Sequence, residues 1–437
     1  MSPSDASGSE GFFENLLGDL MKLLQTKGPV HWELAHQLAV GIASEGTDEP
    51  NVDPLTRIHL EELVRVADLH VTEVTGLSTS VTGKSLEVQP VNRSAWAWYT
   101  LEAWRPLLES LARSLAPGST GAPGTTDDPA QAGDMPGATN EFGAPAGNLE
   151  DMGAGLWSRF LAGKGQAGDD IDDPAAHDLL GGWVAAVGPV LVSVQCGAAI
   201  GHLAQRALGQ YDLPVPRPPS EKLLLVPANI ASFAEDWSLP AEDVELWVCL
   251  REVAHHAVLG LTHVHKRIYG LLQAYASGFE PRMVNLEDSL GHFDISEPGT
   301  IESALGDPAI LLGEARSPAQ RSTMNQISTA VAVVEGYVDY VVAQTSQRLI
   351  GSAGPLSEAM QRRRIDGKQG EALAERLFGL RLDNALIERG ASFIKGVLDR
   401  AGEGGLALLW SSSSNFPTEA EVDAPGLWLE RISLPLD

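Results

Sequence analysis

A long uninterrupted helical pattern, from Ser317 to Ile350, constrains the fold of this chain most strongly. Ser317 is a typical helix N-cap, Pro318 suits the first helical position, and Gly351 follows the last residue. Between these ends, apolar residues recur at alternating spacings of four and three, which places them on one helical face: Ile327, Val331, Val334, Val338 and Val341. The pattern therefore predicts a long core helix, in a chain where helical patterns dominate and strand patterns are few.

This helix carries two carboxylates in an apolar setting. Between Arg321 and Arg348 its only charged residues are Glu335 and Asp339. Because they lie four positions apart, their side chains point the same way. Two carboxylates beside a buried stripe are costly unless a cation or hydrogen-bond donors meet them. We therefore expect a partner elsewhere in the chain, and a structural ion pair is the simplest one.

A second apolar helix is predicted to begin after Ser238, a candidate N-cap, with Pro240 in its first turn. It continues to Leu259, and Gly260 ends it. Several large apolar residues bury this helix: Val244, Trp247, Val248, Val258 and Leu259.

The interior of the second helix contains four polar residues, Arg251, Glu252, His255 and His256. Residues three and four apart share a helical face, so Glu252 lies beside both histidines and Arg251 lies beside His255. On spacing alone, the histidines are either core side chains hydrogen-bonded to Glu252 and Glu335 or members of a functional site.

With these residues identified, the chain resembles the zincin-like metallopeptidase family found mainly in actinobacteria. The resemblance extends from about Asp178 to Ile432. It depends on five segments taken together: Gly209-Gln-Tyr-Asp-Leu-Pro214, Leu224-Leu-Val-Pro-Ala-Asn229, Leu250-Arg-Glu-Val-Ala-His-His256, Val334-Glu-Gly-Tyr-Val-Asp339 and Arg362-Arg-Arg-Ile-Asp-Gly367. The resemblance implies a mainly α protein with a zincin-like metallopeptidase fold, a small β element and a helical N-terminal region. In that fold the helix with Glu252 faces the helix with Glu335.

The resemblance also implies zinc-dependent hydrolysis of peptide amide bonds in a peptide or protein substrate. In the H-E-x-x-H pattern two histidines one helical turn apart bind Zn²⁺, the glutamate polarises the metal-bound water, and another helix supplies a third ligand. Matched to this chain, Glu252 is the expected general base, His255 the second ligand and Glu335 the third. Asp339 is expected to orient a zinc ligand without binding the metal itself. This is its role in zincins whose ligand glutamate is followed four residues later by an aspartate.

The chain departs from this pattern at its first histidine, which is Arg251. A guanidinium stays protonated and cannot ligate a cation. A zinc site then needs a ligand from His256 or from another segment that contains histidine: His263, His265 or His292. Alternatively, Arg251 bridges Glu335 directly and takes the role of the metal. Two functions follow, a zinc metallopeptidase with a degenerate motif or a non-catalytic zincin-fold scaffold or interaction protein.

The formal net charge of −28 limits the partners of this chain. Phosphate backbones and anionic membranes need positive surface, so neither nucleic acid binding nor membrane insertion is expected. Cys196 and Cys249 lie far apart in sequence and cannot form a disulfide framework. The first residues lack a basic region ahead of an apolar run, so export is not expected either. We therefore expect a cytoplasmic protein.

Composition divides the chain into a helical N-terminal region at 1–115, a flexible Gly/Pro-rich linker at 116–155 and a zincin-like domain at 156–437. The linker composition cannot bury enough apolar surface to offset its ordering entropy.

Two further segments have specific predictions. Leu179–Gly201 lacks charge, but glycines interrupt it, and we predict a buried helix that packs through small residues rather than a membrane span. Lys222–Val226 is the best strand pattern, and Pro227 closes it. If the chain is a peptidase, this strand is the expected edge along which an extended peptide pairs.

Overall fold

The computed structural model describes residues 28–80, 83–115, 174–279, 316–351, 353–365, 375, 377–380 and 382–433, with the backbone alone at 174–188 and 364–365. Met1–Ala116 and Ala186–Asp437 belong to one compact unit, and Pro117–Ala185 forms another. The predicted linker at 116–155 lies outside the described residues, so the domain boundaries stay a prediction. His292 also lies outside them.

The described part of the chain is mainly α with a small β element, as predicted. Its two strands are β1 (Glu87–Pro90) and β2 (Lys222–Leu225). Its α-helices are α1 (Trp32–Ala43), α2 (Pro54–Thr75), α3 (Arg93–Ser114), α4 (Pro174–Ala204), α5 (Pro227–Asp236), α6 (Ala241–Leu259), α7 (Thr262–Ser277), α8 (Pro318–Leu349), α9 (Ala353–Ile365), α10 (Asn384–Ala407), α11 (Glu419–Asp423) and α12 (Pro425–Ser433). Short 3₁₀ turns at Leu408–Trp410 and Ser413–Asn415 follow α10.

The ends of α8 agree with the sequence prediction. The Ser317 hydroxyl accepts a hydrogen bond from the Gln320 backbone N–H at 3.1 Å, and the Gln320 side chain accepts one from the Ser317 N–H at 3.1 Å. This reciprocal capping box satisfies two N–H groups that the first helical turn leaves without partners. At the other end, the Ile350 N–H donates to the Ser346 carbonyl at 2.7 Å, and Ile350 is already extended.

The start of α6 differs from the prediction, because Ser238 ends α5 instead of capping α6. Ser238 has a φ of 51°, in the left-handed region. Its N–H donates to the Glu235 carbonyl at 3.0 Å, and the Leu239 N–H donates to the Ala234 carbonyl at 2.9 Å. These two bonds form a Schellman motif, which closes a helix at its C-terminus. Pro240 is the N-cap residue of α6, and the predicted end at Leu259 is confirmed.

The small sheet leaves no open edge near the end of β2. β1 and β2 pair in parallel, with Pro90 opposite Leu225. On the other side of β2, Leu225 forms an antiparallel bridge with Gly209, and the Val226 N–H donates to the Leu208 carbonyl at 2.9 Å. The expectation of a free strand edge for an extended peptide is therefore wrong at Leu225 and Val226.

Close helix packing fixes the backbone that carries Glu335. α6 packs against both α2 and α8, and α8 packs along α10. At that second contact, a Cβ on Gly390 would lie 1.9 Å from the Ala332 carbonyl oxygen, and a Cβ on Gly336 would lie 2.4 Å from the Gly390 carbonyl carbon. Only glycine permits this approach of two helices. Because Gly336 adjoins Glu335, the crossing holds α8 in place beside α6.

The glycine-interrupted stretch of α4 packs closely against α1, as predicted. A Cβ on Gly197 would lie 2.7 Å from the Ala35 carbonyl oxygen, and a Cβ on Gly201 would lie 2.7 Å from the Ile42 Cβ. No helix among the described residues is long and apolar enough to cross a membrane.

Candidate functional site

The four polar residues in the interior of α6 lie in the protein core. Glu252 and His256 are 3% exposed, and His255 is fully buried. The Arg251 side chain is mostly buried, and so is Glu335, which α8 brings to the same place. Burial of so many polar side chains is costly unless each finds a partner within the protein. The partners of each residue therefore define what this site can do.

The Arg251 guanidinium bridges the two carboxylates of α8. One terminal nitrogen donates to Glu335 Oε2, and the other donates to Asp339 Oδ1 at 2.7 Å. The guanidinium carbon lies 5.8 Å from the centroid of the Trp247 ring. Burial alone would lower the pKa of Arg251, but the negative charges of Glu335 and Asp339 raise it above its ordinary value. Arg251 therefore stays charged and holds α6 to α8.

His255 completes the network between the same two helices. Its Nε2 lies 2.8 Å from Glu335 Oε1, and its Nδ1 lies 3.0 Å from the Arg251 carbonyl oxygen. Both neighbours are hydrogen-bond acceptors, whereas a neutral imidazole has only one N–H to donate. His255 therefore contacts both the α6 backbone and the carboxylate of α8.

Glu252 has a different environment from its neighbours. Its Oε2 accepts a hydrogen bond from the Tyr211 backbone N–H at 2.9 Å. A Cβ on Gly209 would lie 2.4 Å from Glu252 Cδ, so this glycine makes room for the carboxyl group. Burial raises the pKa of Glu252 to about 8, against the lowering effect of the Tyr211 N–H and of Arg251. Burial therefore favours the protonated form of Glu252.

His256 directs its hydrogen bond away from the Arg251–Glu335 pair. Its Nδ1 lies 3.0 Å from the Tyr211 hydroxyl. Burial lowers the pKa of His256, while the carboxylates of Glu221 and Asp68 act in the opposite direction. His256 thus belongs to a separate contact between α6 and the segment before β2.

The other described histidines named in the sequence analysis lie on α7. His265 Nε2 is 3.0 Å from the Arg217 carbonyl oxygen, and the buried His263 Nε2 has no hydrogen-bond partner among the described residues. Tyr211, Gly209 and Trp247 contact the site but were not predicted as site residues, and Trp247 was expected only to bury α6. The only signal for the first two was the Gly209-to-Pro214 segment, which carried part of the family resemblance.

Space inside the network is small. A cavity of about 40 Å³ is lined by Arg251, Glu252 and Glu335, with Trp247 and Arg363 among its other walls. By the volume that a water needs, this void has room for roughly one to three molecules.

The side chains present do not fit a zinc site. Zinc in zincins takes three protein ligands, and the place of the first histidine is filled by a guanidinium that donates to the carboxylates. Across the described residues, no group of three or more His, Cys, Asp or Glu could hold a metal ion. The predicted zinc-site roles stay predictions. These are zinc ligation by His255, His256 and Glu335, general base catalysis by Glu252, and orientation of the ligands by Asp339 and Arg251.

Comparison with known proteins agrees with this fold. The model of the zincin-like metallopeptidase family matches residues 30–429, so the chain belongs to that family. A crystal structure from Chloroflexus aurantiacus, described as a “putative hydrolase with a novel fold”, aligns with a TM-score of 0.54 at 19% identity. The alignment covers 93% of this chain and 100% of the other and shows a shared fold. No curated protein matches the sequence.

Proposed function

We propose that this chain is a metal-independent member of the zincin-like metallopeptidase family that binds a peptide or protein partner without cleaving it. The observation that carries the proposal is the Arg251 guanidinium between Glu335 and Asp339. It stands where the family pattern has its first zinc-binding histidine. A bidentate arginine can satisfy two carboxylates that would otherwise need a divalent cation.

Charge balance supports the proposal. The guanidinium of Arg251 places a positive charge between the carboxylates of Glu335 and Asp339, and His255 contacts Glu335 as well. Glu252 adds no charge when it is protonated, in keeping with its raised pKa of about 8. Arg251 thus already supplies both carboxylates with a positive charge without a metal ion.

Available space also favours binding without cleavage. The cavity of about 40 Å³ beside Glu252 takes water but not a peptide backbone. Moreover, the segment before Tyr211 pairs with Leu225 and Val226, at the end of the strand along which an extended substrate was expected to pair. A substrate would have to displace both the ion pairs and this segment to reach Glu252.

A second candidate is zinc-dependent hydrolysis of peptide amide bonds. Family membership and the facing positions of Glu252, His255 and Glu335 favour it. This function requires Arg251 to leave the network so that another ligand can enter.

Metal content separates the two candidates. Protein purified without chelators should contain no stoichiometric zinc by mass spectrometry, and calorimetric titration with ZnCl₂ should detect no binding at the site. Peptides from a casein digest should remain intact in its presence. About one zinc per chain, with loss of binding in His255→Ala and cleavage that Glu252→Gln abolishes, would overturn the proposal in favour of the hydrolase.

A further inference from the structure

One face of α2 presents a row of apolar side chains to solvent. Leu55 and Leu69 are 72% and 68% exposed, and Ile58 and Val66 are exposed as well. They are four of the eight large hydrophobic side chains that are exposed among the described residues. A cluster of exposed apolar side chains on one element indicates an interaction site. The face of α2 that these residues define is therefore a candidate docking surface.

The opposite face of α2 is fixed on the helices of the candidate site. α2 packs against α6 and α8, and its buried row consists of Leu60, Val64, Ala67 and Val71. At the edge of this contact, His59 Nε2 lies 2.9 Å from Glu245 Oε2 on α6. Rotation of α2 to hide the exposed row would bring the buried row into water, so it gains nothing. The exposed row therefore stays on the surface of the described part of the chain.

Two opposite charges occupy the centre of this row. Glu62 and Arg65 are exposed, and neither side chain forms an ion pair or a hydrogen bond within the part of the chain that the structure describes. With the apolar residues they follow spacings of three and four along α2, in the order Leu55, Ile58, Glu62, Arg65 and Leu69. This is the period by which two helices pack along a shared seam. The partner that fits is therefore a helix with apolar ends and an opposite pair of charges.

A second copy of α2, running in the antiparallel direction, has that pattern. The register that sets Glu62 opposite Arg65 of the second copy also sets Ile58 opposite its Leu69, because the two pairs share one midpoint. In a two-fold interface each pair occurs twice, since residue i contacts j and j contacts i. Both charges are then matched, and the apolar ends of the row cover each other. A parallel copy in register would instead set each charge against its own kind.

We propose that two copies of this chain form a dimer through antiparallel α2 helices, with Glu62–Arg65 pairs at its centre and Ile58–Leu69 contacts on either side. The interface is small, so the expected dissociation constant is about 10–100 μM. The net charge of −28 on each chain opposes association, and salt at about 0.15 M screens this repulsion beyond about 8 Å. The inference is separate from the proposed function, because α2 contributes no residue to the Arg251 network.

Charge reversal tests the central pairs. Sedimentation velocity of the full chain in about 0.15 M NaCl should show monomer at about 1 μM and mainly dimer at about 300 μM. Glu62→Arg sets like charges opposite each other and should weaken dimerisation by about tenfold or more, although it makes the chain less negative. The double variant Glu62→Arg with Arg65→Glu exchanges the pair and should restore the wild-type constant.

Three outcomes overturn the inference. They are a wild-type chain that stays monomeric at about 300 μM, a Glu62→Arg variant that dimerises as the wild type does, and a double variant that stays as weak as the single one. Thermal unfolding at about 1 μM, where the chain is monomeric, shows whether the variants at these exposed positions fold.

Cysteine cross-linking tests the register. A mixture of Ile58→Cys and Leu69→Cys chains should form a disulfide-linked dimer under mild oxidation. Neither variant should do so alone, because the register sets the two copies of each position about three helical turns apart. The native Cys196 and Cys249 are buried and do not interfere.

Leu427→Cys provides the matched control for this experiment. Leu427 is 54% exposed on α12, away from α2. Mixed with Leu69→Cys chains, it should give no cross-link above the level of random collision. Cross-linking of Ile58→Cys chains with themselves, or with Leu427→Cys chains, as strongly as with Leu69→Cys chains contradicts the antiparallel pairing.

Discussion

The guanidinium of Arg251 on α6 is paired with the carboxylate of Glu335 on α8, and His255 contacts the second oxygen of the same carboxylate at 2.8 Å. Glu335 is therefore held by two side chains from one helix. Under the proposed function, these hydrogen bonds take the place of metal ligation between the two helices. The consequences for zinc binding, stability and pH dependence can each be measured.

Replacement of Arg251 by histidine should create zinc binding. Arg251→His restores the first histidine of H-E-x-x-H and removes the cation that holds Glu335, so the carboxylate becomes free to ligate a metal. The introduced imidazole then shares Zn²⁺ with His255 and Glu335. We expect about one zinc per chain in the variant and none in the wild type, measured by mass spectrometry and calorimetric titration.

Arg251→Gln, which removes the guanidinium without adding a histidine, is the control for this experiment and should bind no zinc. If Arg251→His also binds none, the cleft between α6 and α8 is not shaped for a metal.

Loss of the Glu335 carboxylate should destabilise the fold strongly. Glu335→Gln keeps the shape of the side chain but removes the negative charge that faces the mostly buried Arg251 guanidinium and contacts His255. Removal of one partner from a buried ion pair typically costs about 3–5 kcal/mol. The measurement is the free energy of unfolding in urea. Glu358→Gln, in the exposed pair of Glu358 with Arg362, is the matched control and should cost less than about 1 kcal/mol. Equal losses in the two variants would show that the buried network adds little.

The raised pKa of Glu252 should make stability fall as pH rises. Between the ordinary carboxyl pKa of 4.5 and the folded value of about 8, the folded protein binds a proton that the unfolded chain has released. The free energy of unfolding therefore decreases with pH through this window, by at most about 1.4 kcal/mol per unit from this group. Below the window the group contributes no penalty, because both states are protonated.

Glu252→Gln removes this titration. We expect the stability of the variant, relative to the wild type, to increase steadily from about pH 5 to about pH 8 in urea unfolding experiments, in proportion to the proton difference. Glu62→Gln, at an exposed position on α2, is the control for general charge effects. A constant difference between Glu252→Gln and wild type across this range would mean that Glu252 is ionised throughout.

The contact between Gly209 and Glu252 should be sensitive to a single methyl group. Gly209→Ala would place a Cβ 2.4 Å from Glu252 Cδ, so either the carboxyl group or the Tyr211 backbone must move. We expect a loss of about 1–3 kcal/mol in the free energy of unfolding. Gly270→Ala is the matched control, since its Cβ meets no atom within 4 Å and its helical position favours alanine by about 0.5–1 kcal/mol. Tolerance of Gly209→Ala would indicate that this segment is free to shift.

Much of the site follows from local sequence. The Ser317 cap, the Leu259 end of α6 and the carboxylate pair on α8 depend on helix geometry, which neighbouring residues determine. The spacing also predicts that Arg251 and His255 share one face, and the alternative in which Arg251 bridges Glu335 follows from their charges. The Ser238 cap was wrong because Ser238 adopts the left-handed conformation that closes α5, a position set by the Schellman hydrogen bonds.

Other features required the tertiary structure. Nothing in the local pattern indicates that the Tyr211 N–H meets Glu252, or that His256 turns to the Tyr211 hydroxyl, because these partners are 41 and 45 positions apart. The same holds for a cavity of about 290 Å³ beside Asp339, which exists only where α8 and α9 pack around Trp247. Sequence by itself determined which helices form and which side chains share a face, since those depend on contacts within a few residues. Packing alone decided which charges meet, since burial removes water and makes the distant partner the only compensation.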